Sequence, residues 1–210
     1  INFIKRKTAA RDTFSCLIIR SIRNFTDNEI ELLASVSIGT ICTASSGYDN
    51  IPLKACKKNA IKVLNVPFGN YISAAEHTIA LLLNIMKNIN KSDKVMKSGK
   101  FESLQYVNYE LSGKNVGIIG VGRVGSLVAK ICKAFSAKVI GNDIKKTLIH
   151  IYKWIEFKEL DALLKESDIV TIHTPLDDTT RNLITSKRLA LLKKNAIILN
   201  CARGGIINEK

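Results

Sequence analysis

The run Val116-Gly-Ile-Ile-Gly120-Val-Gly122-Arg-Val-Gly125 decides how this 210-residue chain folds. An apolar strand over Asn115 to Ile119 runs straight into three glycines at G-x-G-x-x-G spacing. Leu127, Val128 and Ile131 then recur at helical spacing, which predicts a helix over Arg123 to Phe135. A lone glycine triplet of this kind suits any tight strand-to-helix junction; its place between strand and helix is what makes it specific. In that context Gly120 permits the turn, Gly122 lets the backbone approach a pyrophosphate, and Gly125 lets helix and strand pack closely. The helix N-terminus then faces the anion. Arg123 and Val124 fall in the first turn of that helix.

Reading outward, Asp143 stands 23 positions beyond Gly120, at the end of the next apolar run. An acid there accepts hydrogen bonds from ribose hydroxyls and repels a 2′-phosphate, so NAD is expected over NADP. Lys145 and Lys146 beside it pull the other way, since either could meet a phosphate.

Downstream, strands are predicted at Ala137 to Ile140, Asp168 to His173 and Ala196 to Asn200, with helices at Glu156 to Lys165 and Ser186 to Leu192. Upstream, strands at Cys16 to Arg20, Ile38 to Cys42 and Ile61 to Leu64 alternate with a helix opened by a Thr26-x-x-Glu29 capping box and another starting at Pro52. Ser73-Ala-Ala-Glu76 reads as a second capping box, opening one long helix toward Met96. The expected fold class is therefore α/β: a doubly wound, Rossmann-like parallel sheet over residues 93–210, and a smaller flavodoxin-like α/β unit over 1–92.

Composition agrees with a folded protein: 46% of residues are hydrophobic and 24% charged. Lys and Arg number 32 against 18 Asp and Glu, a net charge of +14. The charges are scattered and no basic run is interleaved with aromatics, so they read as a solvated surface rather than a nucleic-acid site. No apolar run reaches the ~20 residues of a membrane span, and the opening residues lack the pattern of a secretory signal, so a cytoplasmic location is expected. Five cysteines with no C-x-x-C spacing suggest neither a zinc site nor a disulfide framework, and no metal is expected. The first residue is Ile1, and Lys210 follows closely on Gly204-Gly205, which reads as a chain truncated at its C-terminal end.

Five motifs stand in order: Gly47-Tyr-Asp-Asn-Ile51, Gly69-Asn-Tyr-Ile-Ser-Ala-Ala-Glu-His-Thr78, the Gly120 turn, Asp168-Ile-Val-Thr-Ile-His-Thr-Pro175 and Asn200-Cys-Ala-Arg-Gly-Gly205. On these the chain resembles the D-isomer-specific 2-hydroxyacid dehydrogenases over nearly its whole length, and most of all the branch that oxidises 3-phosphoglycerate at the entry to serine synthesis. The resemblance implies a split substrate domain with the nucleotide domain inserted into it, a homodimer, and a small 2-hydroxy acid substrate carrying a phosphate. It places Ser46, Thr174, Cys201 and Ala202 around the cofactor, besides Gly120, Gly122, Arg123, Val124, Gly125 and Asp143. Arg203 matches the catalytic arginine and also borders the cofactor. A guanidinium suits that task because its planar fork of donors grips a carboxylate in two places.

On the substrate side, Arg20 and Ser21 resemble the pair that meets the phosphate, Ser46 and Gly47 the carboxylate loop, and Asn70 a neighbouring polar contact. Arg20 also reads as a strand-end surface charge. His77 and His173 match no catalytic position, and structural roles are expected for both. The family's proton-transferring histidine and its glutamate fall beyond Lys210, so these 210 residues are expected to be inactive alone. Ser45 stands at a glycine position of the substrate loop, where its Cβ is expected to crowd the backbone, and Thr43 stands where relatives often carry arginine. Two alternatives remain at this point: a dehydrogenase for glycerate, lactate or erythronate 4-phosphate, and a non-enzymatic NAD-sensing protein of the same fold.

Overall fold

Each apolar run of the sequence finds a sheet or a helix stripe to bury it. The computed structural model describes residues 15–20, 23–99 and 106–209. The chain divides into two compact units between Asn70 and Tyr71.

The first unit holds β1 (Ser15–Ile19), α1 (Asp27–Ser35), β2 (Ile38–Thr43), α2 (Leu53–Lys58) and β3 (Lys62–Asn65). The capping box forms as read: Thr26 Oγ1 accepts from Glu29 N at 3.3 Å, and Glu29 Oε2 accepts from Thr26 N at 2.9 Å. Its three strands are parallel, in the order β1-β2-β3. Successive right-handed crossovers in one direction put both helices on one face, where Ile30, Leu33, Ala55 and Cys56 pack with Ile41. Ile18 and Leu64 stand exposed on the strands. The smaller α/β unit expected here is a parallel three-stranded sheet with helical crossovers, but it does not show the flavodoxin-like strand order among the described residues. The strand order is sequential, with no reversal among the described residues.

The second unit opens with α3 (Tyr71–Met86) and α4 (Ile89–Lys97). There follow β4 (Asn115–Ile119), α5 (Arg123–Ala134), β5 (Lys138–Asn142), α6 (Leu148–Ile151), β6 (Glu156–Phe157), α7 (Leu160–Glu166), β7 (Ile169–Ile172), α8 (Ser186–Leu189) and β8 (Ile197–Asn200). Its five parallel strands lie in the order β6-β5-β4-β7-β8. The order reverses at β4, with β5 on one side and β7 on the other, which is the doubly wound arrangement expected. Helices cover both faces, so β7 is buried along its whole length and β4 from its second residue. Ile118, Ile169 and Ile172 are all but fully enclosed, each worth about 2 kcal/mol of burial.

Four expectations change. The boundary falls at Asn70/Tyr71 rather than 92/93, because Ala75, Ile79, Leu82 and Met86 of α3 join the core of the nucleotide sheet. The Ser73-Glu76 capping box does not form; α3 already starts at Tyr71, which puts Ser73 inside it. The long helix toward Met96 is two helices, broken where Asn88 takes a left-handed φ of 50°. Finally, Glu156-Phe157 is a short edge strand paired with Ile140 and Gly141, and the helix read over Glu156 to Lys165 begins only at Leu160. No helix among the described residues is long and apolar enough to cross a membrane.

Candidate functional site

Because β4, β5, β7 and β8 are parallel neighbours, their carboxyl ends deliver one loop each to the same edge of the sheet. From β4 comes the glycine turn. Gly120 sits at φ +88°, in the left-handed region that a side chain rarely adopts, and its amide donates to Asn142 O at 2.8 Å. A Cβ there would come within 2.9 Å of the His173 backbone and the Thr174 methyl. A Cβ on Gly125 would collide with Gly120 O, so only glycine lets α5 pack this close to β4. Gly122 differs: it caps α5 in ordinary extended geometry, and an added Cβ would meet nothing within 4 Å. The space its missing side chain leaves is open at the start of α5, where the positive end of the helix dipole suits an anion.

From β5 comes Asp143. Its carboxylate accepts from Val121 N in the glycine turn and from Lys145 N, both at 2.8 Å. Asp143 therefore ties the end of β5 to the turn, and two oxygens with four lone-pair sites still leave it capacity for ribose hydroxyls. A cleft of about 220 Å³ opens beside it, bounded in part by Lys145, Lys146 and Phe157. Lys146 is paired with Glu159 at 3.1 Å.

From β7 come His173 and Thr174. Burial pushes the His173 imidazole down to about 4, and its Nε2 lies 3.0 Å from Thr171 Oγ1, which fits the structural role expected of it. His77 is exposed on α3. Thr174 Oγ1 is buried without a hydrogen-bond partner. An orphaned hydroxyl beside the glycine turn, together with the open space at Gly122, is what a bound dinucleotide would satisfy and fill.

From β8 comes the loop of Cys201, Ala202 and Arg203. Asn200, which the sequence reading passed over, organises it. Its Nδ2 donates to Arg203 O at 2.7 Å and its Oδ1 accepts from Ala202 N at 3.2 Å, closing a small turn around the arginine. An asparagine two and three residues ahead of the groups it bonds was the available signal. Arg203 itself donates from Nη1 to Ala202 O at 2.9 Å.

In the first unit the residues that the sequence assigns to a substrate loop meet one another. Ser46 Oγ donates to Asn70 Oδ1 at 2.9 Å, Asn65 Nδ2 donates to Ser46 O at 2.8 Å, and Ala44 N donates to Ile19 O at 2.9 Å, beside exposed Arg20. Ser45 corrects an expectation: it is not among the residues with positive φ. Its hydroxyl lies 2.8 Å from Thr43 Oγ1 and donates to Gly47 O at 2.8 Å, so the serine braces the loop instead of crowding it. Ser21 lies outside the described residues.

The family model for the D-isomer specific 2-hydroxyacid dehydrogenase NAD binding domain matches residues 79–210. The chain belongs to the D-isomer specific 2-hydroxyacid dehydrogenases. Among its relatives, the D-3-phosphoglycerate dehydrogenase of Methanocaldococcus jannaschii is 38% identical over 196 residues, 92% of this chain and 37% of that protein. The hydroxypyruvate reductase of Thermotoga maritima is 38% identical over 194 residues, 92% of this chain and 62% of that protein. A solved D-lactate dehydrogenase from Aquifex aeolicus, complexed with NAD and lactic acid, is 33% identical. It superposes with a TM-score of 0.83 over 92% of this chain and 58% of its own. The chain thus spans 37% of the length of that phosphoglycerate dehydrogenase. Residues 79–210 are the family's NAD-binding domain, and the glycine turn, Asp143 and Thr174 are the features of this chain that fit the cofactor.

Proposed function

We propose that the protein oxidises D-3-phosphoglycerate to 3-phosphohydroxypyruvate with NAD. The observation that carries this reading is the delivery of the glycine turn and the Arg203 loop to one edge of the sheet, from the strands β4 and β8 that flank β7. NAD, when bound, supplies the acceptor for the hydride. The chain's own residues do the rest. Gly120, Gly122, Arg123, Val124 and Gly125 hold the pyrophosphate, Asp143 takes the adenosine ribose, and Ser46, Thr174, Cys201, Ala202 and Arg203 border the remainder of the cofactor.

Arg203 grips the substrate carboxylate and so orients the hydroxyl-bearing carbon; a fixed bidentate contact contributes through positioning as well as charge. Arg20 and Ser21 take the phosphate, with the Ser46-Gly47 backbone and Asn70 beside the carboxylate. The proton of the hydroxyl needs a base that titrates near neutrality, and His173, held neutral down to about pH 4 by its burial, is not that base. None of the described residues is assigned the role of proton acceptor. The working form is a homodimer in the cytoplasm, divided between a substrate domain and the nucleotide domain.

The hydroxypyruvate reductase among the relatives, as similar as the phosphoglycerate dehydrogenase, supports a second reading: a dehydrogenase for a different D-2-hydroxy acid. NADH formation by the full-length protein, followed with phosphoglycerate, glycerate and D-lactate in parallel, separates the two. Turnover of phosphoglycerate, with a KM raised selectively by Arg20→Ala, is the expected result. Turnover of glycerate or lactate alone would overturn the first reading in favour of the second.

A further inference from the structure

A cavity lies at the end of the nucleotide sheet opposite the glycine turn. It has a volume of about 710 Å³, the size of a small-molecule site. Its strand-side residues precede their strands: Lys114 leads into β4, Asp168 into β7 and Lys194 into β8, whereas the dinucleotide site lies where β4, β7 and β8 end.

The floor is apolar, made by Ile85 and Met86 from the end of α3 and by Ile169 and Ile197 from the first residues of β7 and β8. The outer wall carries two aromatic rings, Tyr106 and Tyr109, and the fold pins this wall in place. Asn88 Nδ2 donates to Val107 O at 3.1 Å and to Asn108 Oδ1 at 3.2 Å, while Tyr109 N donates to Met86 O at 2.9 Å. The cavity is therefore preformed rather than waiting on a ligand to shape it.

Its charge is one-sided, with four lysines against one carboxylate. Asp168 is consumed by Lys193 at 2.8 Å and by Asn115 N at 2.9 Å. Lys91 sits over the Tyr106 ring at 5.4 Å. Lys114 also acts on Asp168 at longer range, but one carboxylate cannot balance the lysines around it and Lys194 forms no ion pair among the described residues, so the rim keeps a net positive charge above an apolar and aromatic interior.

We propose that this cavity is a second ligand site, at the opposite end of the nucleotide sheet from the glycine turn, for a small amphipathic anion: a planar apolar body bearing one carboxylate, sulfonate or phosphate. The ring lies against Tyr106, Tyr109 and the isoleucines, and the anionic group meets Lys114 and Lys194. Aromatic carboxylates and nucleoside phosphates share this chemistry.

The test is a fluorescence titration of the full-length protein with 1-anilinonaphthalene-8-sulfonate, with and without saturating NAD, followed by competition with an aromatic carboxylate and with a nucleoside monophosphate under the same NAD saturation. Saturable binding that persists with NAD, and that weakens at least tenfold in Lys114→Glu/Lys194→Glu, is the expected result. Whichever competitor displaces the probe identifies the source. Displacement of the probe by NAD would overturn the proposal, since the probe would then sit at the glycine turn. So would probe affinity unchanged by the charge reversal, or a dimer that excludes the probe while a dissociated form admits it, because a second copy would then fill the cavity. An unchanged melting temperature of the double variant confirms that a lost signal reflects the site and not unfolding. None of these outcomes depends on which hydroxy acid the enzyme oxidises.

Discussion

Asp143 braces the glycine turn through Val121 N, and in the proposed site its carboxylate also places negative charge where a 2′-phosphate would arrive. Asp143→Asn keeps the shape and an acceptor but removes the charge. We expect the preference for NAD over NADP, read from paired binding titrations, to fall by about tenfold, equivalent to ~1.4 kcal/mol. Arg203→Lys keeps a cation but loses the planar fork. A drop of roughly 10²-fold in kcat/KM of the full-length enzyme is expected, with the fold intact by circular dichroism. His173 makes a prediction about pH. Its folded value of about 4 lies below the ordinary 6.5, so the unfolded chain takes up a proton that the folded chain refuses. Stability is full above about pH 6.5 and declines as pH falls toward 4, by up to about 3 kcal/mol. Urea midpoints measured across that window should show the decline, and His173→Gln should flatten it. The buried Cys132 thiol, pushed up to about 12, takes no part in this window.

At the scale of elements, the break between α3 and α4 rests on Asn88. Its left-handed backbone costs most residues about 1 kcal/mol or more, and its side chain holds the 106–109 wall through two hydrogen bonds. Asn88→Ala is expected to lower unfolding free energy by about 2 kcal/mol in denaturant titrations, and Asn88→Gly by less, since glycine restores the backbone but not the bonds. The same break was invisible in the periodicity, because Ile79, Leu82, Met86 and Ile89 keep helical spacing straight through it. The Ser73-Glu76 box misled for a related reason: the residues suit a cap, but α3 had already begun at Tyr71. Glu156-Phe157 was misread as helix because two residues carry no period, and pairing with Ile140 and Gly141 makes them a strand. By contrast the Thr26-Glu29 box, β4, α5 and β7 were legible, since each is a local pattern that its own residues satisfy.

At the scale of the molecule, the nucleotide unit reaches back to Tyr71, so α3 belongs to the core that supports the cofactor site. A ligand held there should stabilise that unit by mass action. At a hundredfold excess over Kd the gain is about 2.7 kcal/mol, or roughly 5 to 10 °C in Tm. Thermal scans with NAD should show this shift, and NADP at equal concentration should give markedly less; equal shifts would mean that Asp143 does not discriminate.

What the sequence determined by itself was whatever depends on neighbours along the chain: the α/β alternation, the glycine turn with its strand and helix, Asp143 one strand further on, and the family through its ordered motifs. The tertiary structure alone decided which loops share an edge, that α3 joins the nucleotide core, that Asn200 holds the Arg203 loop, and that four lysines and two tyrosines enclose a cavity at the far end of the sheet. The reason is that periodicity and turn chemistry act over a few residues. Strand order, cavities and cross-chain hydrogen bonds arise from residues tens of positions apart, whose meeting depends on the packing of the whole sheet.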